Sequence, residues 1–358
     1  MRLLQPCRLV RARHTPPHSS LRACSASAPR PASRLADVET LLSRTSWLLP
    51  DPHSAAQRLS GTLLCLRDDL LHHPGTLALS GNKARKLDAL LPQLLASGVR
   101  DVVTCGGLHS AHAAAVATGC AASGMRAHLL LRGEAPAVLT GHALTASLHA
   151  ASLRFVTRDE YAQRETMLRS AALQLNATVI PEGGAGVAAL LGLLRAVHAW
   201  SRSVLPADQV TTLVVDSGTG CTAYGLALGC ALLSLPWRVL AVPVGGSRAD
   251  AEARNARLGA DWNAAHPLLS VPPADLPLEW TPAGRRFGEC SRADVEACAR
   301  LSQESGIAVD PIWTLRAYEA ARERAEATGE ATAWVHTGGA AGALDGAAQR
   351  WPGHFSGL

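Results

Sequence analysis

Short runs of β-branched and aliphatic residues alternate along this chain with longer stretches in which apolar residues recur every three or four positions. The short runs predict strands at Leu63–Leu66, Asp101–Cys105, Arg126–Leu131, Leu153–Val156, Ala177–Ile180, Thr212–Val215, Arg238–Val242 and Ala331–His336. The longer ones predict helices near Val38–Ser46, from Ser80 or Asn82 through Leu94, and at His109–Ala122, Val138–Ala150 and Arg158–Leu175. Another runs from beyond Gly184 to about Ser203. Others follow at Thr219–Ser234, Ala249–Leu258, Arg292–Ser305 and Leu315–Thr328, with a last one from Ala341. Leu87, Leu90, Leu91 and Leu94 show the i, i+3, i+4, i+7 spacing most plainly. Between Trp262 and Arg292 prolines interrupt the period, so loops with one short strand are expected there. Strands alternating with helices predict an α/β protein whose parallel sheets are covered on both faces. No internal repeat is present.

At 358 residues, 47% of them apolar, the chain has room for two domains with substantial cores. Gly183-Gly184 is the expected crossing between them, dividing the chain into 37–87 with 183–358 as a large unit and 88–182 as a small one. The net charge of +5 is unevenly placed. Seven arginines and no acid precede Asp37, so residues 37–358 carry 5 − 7 = −2. A mildly acidic body gives no electrostatic case for binding nucleic acid or an anionic membrane. The acid-free segment 1–36, rich in arginine and serine, reads as a disordered organellar transit peptide. Mitochondrion is the first expectation and chloroplast the alternative. Two uncharged runs, Val102–Met125 and Ser217–Trp237, open with glycines after a short strand, as buried strand-turn-helix units do rather than membrane spans. Nine scattered cysteines without a C-x-x-C pair fit free thiols in a reducing compartment and offer no metal spacing.

Arginine supplies 32 of the 34 basic residues. The two lysines, Lys83 and Lys86, both lie in Gly81-Asn82-Lys83-Ala84-Arg85-Lys86-Leu87-Asp88. Arginine can replace a lysine that supplies charge, but not one whose amine must react as a nucleophile. The segment is therefore a candidate amine site, or a solvated helix face on which two lysines happen to remain.

Three strand ends carry glycine turns, and ligands of open α/β sheets bind at such ends. In Cys105-Gly106-Gly107-Leu108-His109-Ser110-Ala111-His112, Ser110 opens a helix whose N–H groups suit a carboxylate, or simply caps it. It lacks the G-x-S-x-G elbow of a hydrolase nucleophile. His109 and His112 have no third ligand nearby, so no metal is expected. Ser217-Gly218-Thr219-Gly220-Cys221-Thr222-Ala223 fits a dinucleotide fingerprint, but the next strand ends in Val244-Gly245-Gly246 with no acid for a ribose. A single phosphate cradled by backbone N–H groups with the Thr219 and Thr222 hydroxyls fits better. The third turn is His336-Thr337-Gly338-Gly339. A reactive lysine, a phosphate loop and a carboxylate-binding helix start together suit pyridoxal 5'-phosphate acting on an amino acid.

These residues also carry a likeness. The chain resembles the D-cysteine desulfhydrase and 1-aminocyclopropane-1-carboxylate deaminase family of fold-type-II pyridoxal phosphate enzymes, from about Arg67 to Arg350. The most specific runs are Gly81–Asp88, Cys105–His112, Ser217–Thr222, Asp310–Thr314 and His336–Gly339; Gly81–Asp88 and Gly106-Gly107 with Ser110-Ala111-His112 look most like the plant organellar desulfhydrase branch. The resemblance implies a tryptophan synthase β-like fold, two open twisted parallel-sheet domains with the cofactor between them, and a homodimer. It implies that Lys83, not Lys86, is the Schiff-base lysine, and leaves Lys86 as a helix-face residue. Ser110 would meet the substrate, with His109 and Ala111 beside its carboxylate. Gly218, Thr219, Gly220, Cys221 and Thr222 would hold the phosphate, and Thr314 would partner the ring nitrogen. Deaminases carry a glutamate at that last position. A threonine hydrogen-bonded to a neutral nitrogen suffices for expelling sulfide.

Three positions depart from the wider family. Ala111 stands where an asparagine touches the ring hydroxyl, and Trp313 and Phe287 stand where tyrosines line the substrate. The expected activity is a carbon–sulfur lyase reaction on D-cysteine, giving pyruvate, ammonia and hydrogen sulfide. The alternatives are cyclopropane ring opening and a catalytically weak cofactor-binding protein.

Overall fold

The strands form two principal sheets and a small hairpin. The computed structural model describes residues 32–244, 247–282 and 287–356; most of the expected leader, residues 1–31, lies outside them. The larger sheet has six strands, in the order Ala55–Arg58, Leu63–Arg67, Ala331–Val335, Thr211–Ser217, Arg238–Pro243 and Leu278–Trp280. Every pairing in it is parallel except that of Ala55–Arg58 with Leu63–Arg67. The smaller sheet has four parallel strands, ordered Ser152–Val156, Arg126–Arg132, Asp101–Gly107 and Thr178–Val179. The run Leu213-Val214-Val215 explains the parallel centre of the larger sheet. Its strand, Thr211–Ser217, is buried along its whole length, as one covered by helices on both faces must be.

Strand order sets where a ligand can sit. In the larger sheet the chain builds outward from Thr211–Ser217 through Arg238–Pro243 to Leu278–Trp280, then returns to place Ala331–Val335 on the other side. In the smaller sheet it builds outward from Asp101–Gly107, then returns with Thr178–Val179. Each reversal opens a crevice at the carboxyl ends of the strands. The crevices carry the three glycine turns.

Helix Gly81–Ala96 joins the two halves. Leu87 and Leu91 belong to the core of the smaller sheet, among Ala113, Val116, Leu129 and Leu131. Ala89 belongs to the core of the larger one, with Leu190, Leu194 and Trp200. Helix Val187–Ser203 crosses so closely that a Cβ on Gly192 would overlap the Arg85 carbonyl oxygen.

Most predicted elements are present, with four differences. The strand Ala55–Arg58 and the hairpin His72–His73 with Thr76–Ser80 are additions; Ala-Ala-Gln-Arg has no apolar alternation because it is an exposed edge. The stretch 158–175 is two helices, Arg158–Ala162 and Arg164–Leu175. They break at Gln163, where Tyr161 turns inward to donate its hydroxyl to Glu182. The first helix, Ala32–Arg44, takes in residues 32–36, which the sequence assigned to a disordered leader. Among the described residues no helix is long and apolar enough to cross a membrane.

Candidate active site

The lysine segment is a buried helix start, not a solvated face. Gly81 has φ +63°, and a Cβ there would overlap the Thr337 carbonyl oxygen, so the turn needs glycine. Ser80 occupies the N-cap position without a side-chain cap bond, and the Asn82 N–H donates instead to Thr337 O at 3.0 Å. The Asn82 amide spans the site: its Nδ2 donates to Thr222 Oγ1 at 3.2 Å, while its Oδ1 accepts from Lys83 Nζ at 2.7 Å. Arg85 is fully buried, pairing with Asp68 at 2.6 Å and lying over the Trp200 ring. Asp88 accepts from Leu49 N and Arg195 Nη1, each at 2.7 Å.

Lys83 keeps partial exposure. Its amine pKa is nevertheless lowered to about 8, first by burial and then by the charge of Lys86 one turn away; Asp216 and Cys221 pull the other way. The structure corrects the expectation for Lys86. This lysine is buried, and its Nζ donates to Gly183 O at 3.1 Å. Gly183 in turn lies against Thr219 of the glycine loop, where an added Cβ would come within 2.7 Å of Thr219 Cγ2.

The loop after strand Thr211–Ser217 is held from outside by Arg254. Its Nε donates to Thr219 O at 3.0 Å and its Nη2 to Gly218 O at 3.3 Å. A trans peptide points its N–H opposite its C=O, so the N–H groups of Thr219 and Gly220 face away from Arg254. Gly220, at φ +88°, turns the chain into helix Cys221–Leu232, whose first N–H groups add to that donor set. Asn255 lies against Gly220 with both amide atoms buried and unpartnered, and Ser217 Oγ is likewise an orphan. Asp216, just before the loop, accepts from Thr337 Oγ1 at 2.6 Å; burial raises its pKa, against the Thr337 hydrogen bond and the Lys83 charge.

At the smaller sheet, Ser110 is the N-cap of helix Ala111–Ala122, accepting from Ala113 N at 3.2 Å. A serine hydroxyl capping in this way still has its proton to give. His112 is buried against Thr104 Oγ1 at 2.9 Å, and its pKa is lowered to about 3 by burial and then by Lys86 and Lys83, so it is neutral. His109 packs on Gly346, with Nδ1 buried and unpartnered; burial lowers its pKa too. His142 lies against Gly339 O at 3.3 Å and within the field of Lys83, His109 and Asp310. Ala111 and the His142 ring would each lie 3.6 Å from a Cβ on Gly339.

Trp313 comes from the turn before helix Thr314–Thr328, and its ring edge would lie 2.9 Å from a Cβ on Gly218. Phe287 meets it edge to face at 5.4 Å between centroids. Thr314 is fully buried and bonded to Asp310. The structure thus gathers Lys83, Thr222, Cys221 and Asp216 around one crevice, with Ser110, His109 and Ala111 on its second wall and the Trp313–Phe287 pair above the loop. Lys86, Arg254, Asn255, His142 and Asp310 lie beside these residues and were not among the expected site residues. Lys86 had a signal as one of two lysines and Asp310 as an Asp four residues before a helix start; the other three had none. Among the described residues no cluster of metal-ligating side chains occurs.

The chain matches the family description "Pyridoxal-phosphate dependent enzyme" over residues 49–338. It belongs to that family. A rice protein named "Putative D-cysteine desulfhydrase 2, mitochondrial" is 35% identical, across 91% of this chain and 98% of the relative. A D-cysteine desulfhydrase of Salmonella schwarzengrund is 28% identical, across 81% and 92%. The crystal structure of a protein described as an ACC deaminase homologue superposes with a TM-score of 0.72 at 25% identity, covering 89% of this chain and 99% of that one. The protein is therefore a fold-type-II enzyme whose cofactor is pyridoxal phosphate.

The residues fit that cofactor. Lys86 is a buried lysine whose described partner is a carbonyl, and burying a charge costs free energy that an opposite charge offsets. The orphaned Ser217 and Asn255 and the N–H groups of Thr219, Gly220 and Cys221 converge on the same loop. A dianionic phosphate there would accept from the Ser217 hydroxyl, from Asn255 Nδ2 and from these N–H groups, and would pair with Lys86.

Proposed function

We propose that this enzyme is a carbon–sulfur lyase that converts D-cysteine and water to pyruvate, ammonia and hydrogen sulfide. In this reading Lys83 holds the cofactor aldehyde, Gly218–Thr222 with Lys86 and Asn255 hold its phosphate, and Thr314 faces its ring nitrogen. When bound, the cofactor supplies an electron sink conjugated to the substrate's α-carbon. Lys83, when its amine is free, would serve as the base for the α-proton; its lowered pKa leaves a useful fraction of free amine near neutral pH. Ser110 has a hydroxyl proton for the substrate carboxylate, aided by the start of helix Ala111–Ala122.

The observation that carries the choice of substrate is the aromatic wall of Phe287 and Trp313. Neither ring has a hydroxyl. Opening a cyclopropane leaves a carbon that must be protonated, and this wall offers no acid for it. Sulfide leaves as an anion stable near neutral pH, so its departure needs none. The two relatives named as desulfhydrases point the same way. Purified enzyme given D-cysteine, L-cysteine and 1-aminocyclopropane-1-carboxylate separately should release sulfide from the first and no 2-oxobutyrate from the last. The opposite result refutes the assignment. We also propose a homodimer, to be checked by light scattering, and mitochondrial delivery by residues 1–36, consistent with the rice relative's name. A fluorescent protein fused to residues 1–36 that stayed in the cytosol would exclude that delivery.

A further inference from the structure

The hydrogen bonds around Thr314 settle which way its hydroxyl can serve. Asp310 and Thr314 are 1% and 0% exposed, so solvent does not supply their partners. The Asp310 carboxylate caps the start of helix Thr314–Thr328: Oδ1 accepts from Ile312 N at 2.9 Å and Trp313 N at 2.8 Å, and Oδ2 accepts from Thr314 N at 3.2 Å. The same Oδ2 accepts the Thr314 hydroxyl at 2.8 Å, while the Thr314 oxygen accepts from Asp310 N, also at 2.8 Å. A hydroxyl has one proton and two lone pairs. Here the proton is committed to Asp310 and one lone pair to a backbone N–H. What is left is a single lone pair, so toward any further partner Thr314 can only accept.

We propose that Asp310 fixes Thr314 as an acceptor, so that the threonine meets the cofactor's ring nitrogen in its N–H form. This rests on the reading above that Thr314 faces that nitrogen. It differs from the expectation attached to a threonine taken alone, which can donate to a neutral nitrogen. A carboxylate behind a hydroxyl polarises it and strengthens its acceptor character. The pair Asp310–Thr314 then does at one remove what a carboxylate touching the ring would do directly: it favours the protonated ring and the stronger electron sink. Asp310 is a positioning residue on this account. It acts through Thr314 and touches neither substrate nor cofactor.

The test uses full-length protein reconstituted with pyridoxal phosphate labelled with nitrogen-15 in the ring. In the unmutated enzyme the ring nitrogen should resonate in the protonated-pyridine range. Asp310→Asn keeps the shape and an acceptor oxygen, but its amide can donate to Thr314 and turn the hydroxyl proton toward the ring. The resonance should then move to the neutral-pyridine range. Should that variant not fold, Thr314→Val leaves the three backbone bonds to Asp310 in place and should give the same neutral signal. A neutral nitrogen in the unmutated enzyme overturns the proposal, as does a protonated one that survives the substitution. Borohydride reduction and peptide mapping of the same samples separate the two levels of the argument. No pyridoxyl group on the Gly81–Arg85 peptide would bring down the cofactor reading and this inference together. A pyridoxyl group there with a neutral nitrogen overturns this inference alone.

Discussion

Lys83 and Lys86 lie one helical turn apart in a crevice from which much of the water is excluded, and the charge on the second makes the first easier to deprotonate. A lysine lowered from 10.5 to about 8 exposes its free amine over the range in which an ordinary lysine is almost wholly protonated. Cofactor uptake by stripped enzyme, followed by its absorbance, should therefore rise through a midpoint near pH 8. Lys86→Met removes the like charge, so that midpoint should move to higher pH. If Lys86 pairs with the phosphate as proposed, the same variant removes that buried cation, a loss of about 3–5 kcal/mol, or roughly a hundred- to several-thousandfold in cofactor affinity. An unchanged midpoint and affinity would mean that the buried Lys86 acts on neither Lys83 nor the phosphate. Lys83→Ala should lose activity by at least the roughly 10²–10⁴-fold a positioned base contributes. The lysine pair stood out in the sequence because a primary amine has no arginine substitute. The burial of Lys86 was not, because it depends on Gly183, 97 residues away, reaching over the helix.

At the scale of elements, the lysine helix keeps its place by close approach and by one buried ion pair. An alanine at Gly192 would drive its Cβ into the Arg85 carbonyl, a backbone atom that cannot rotate aside. Overpacking of this kind costs about 1–3 kcal/mol. Gly192→Ala should lower the urea midpoint with little change in slope, and lower cofactor occupancy as well, since the shifted helix carries both lysines. Asp68→Asn should cost more, about 3–5 kcal/mol by the same measurement, because it leaves the Arg85 guanidinium buried beside a neutral amide. Helices and central strands could be read from their periods, which report burial of one face or both. The edge strand Ala55–Arg58 could not, since its exposed residues alternate nothing. Nor could the break at Gln163 or the Tyr161–Glu182 contact beside it, which joins residues 21 apart.

Across the whole molecule the glycine turns of the two sheets come together, a Cβ on Gly339 lying 3.6 Å from Ala111, and the lysine helix contributes side chains to both cores. Phosphate-loop donors, Lys83 and Lys86 come from or touch the larger sheet's side, and Ser110 and His109 come from the smaller one. A cofactor seated there binds the folded chain and has no site in the unfolded one. At a hundredfold excess over its dissociation constant such a ligand adds about 2.7 kcal/mol to stability. For a chain of this size that corresponds to a rise of roughly 3–5 °C in melting temperature. Enzyme stripped with hydroxylamine should melt lower than reconstituted enzyme by about that amount. If Lys86 and Asn255 hold the phosphate as proposed, inorganic phosphate at high concentration should restore part of the difference, and pyridoxal without its phosphate should restore less. If pyridoxal alone restored all of it, the loop's donors would not be the main anchor, and the stabilisation would have to come from Lys83.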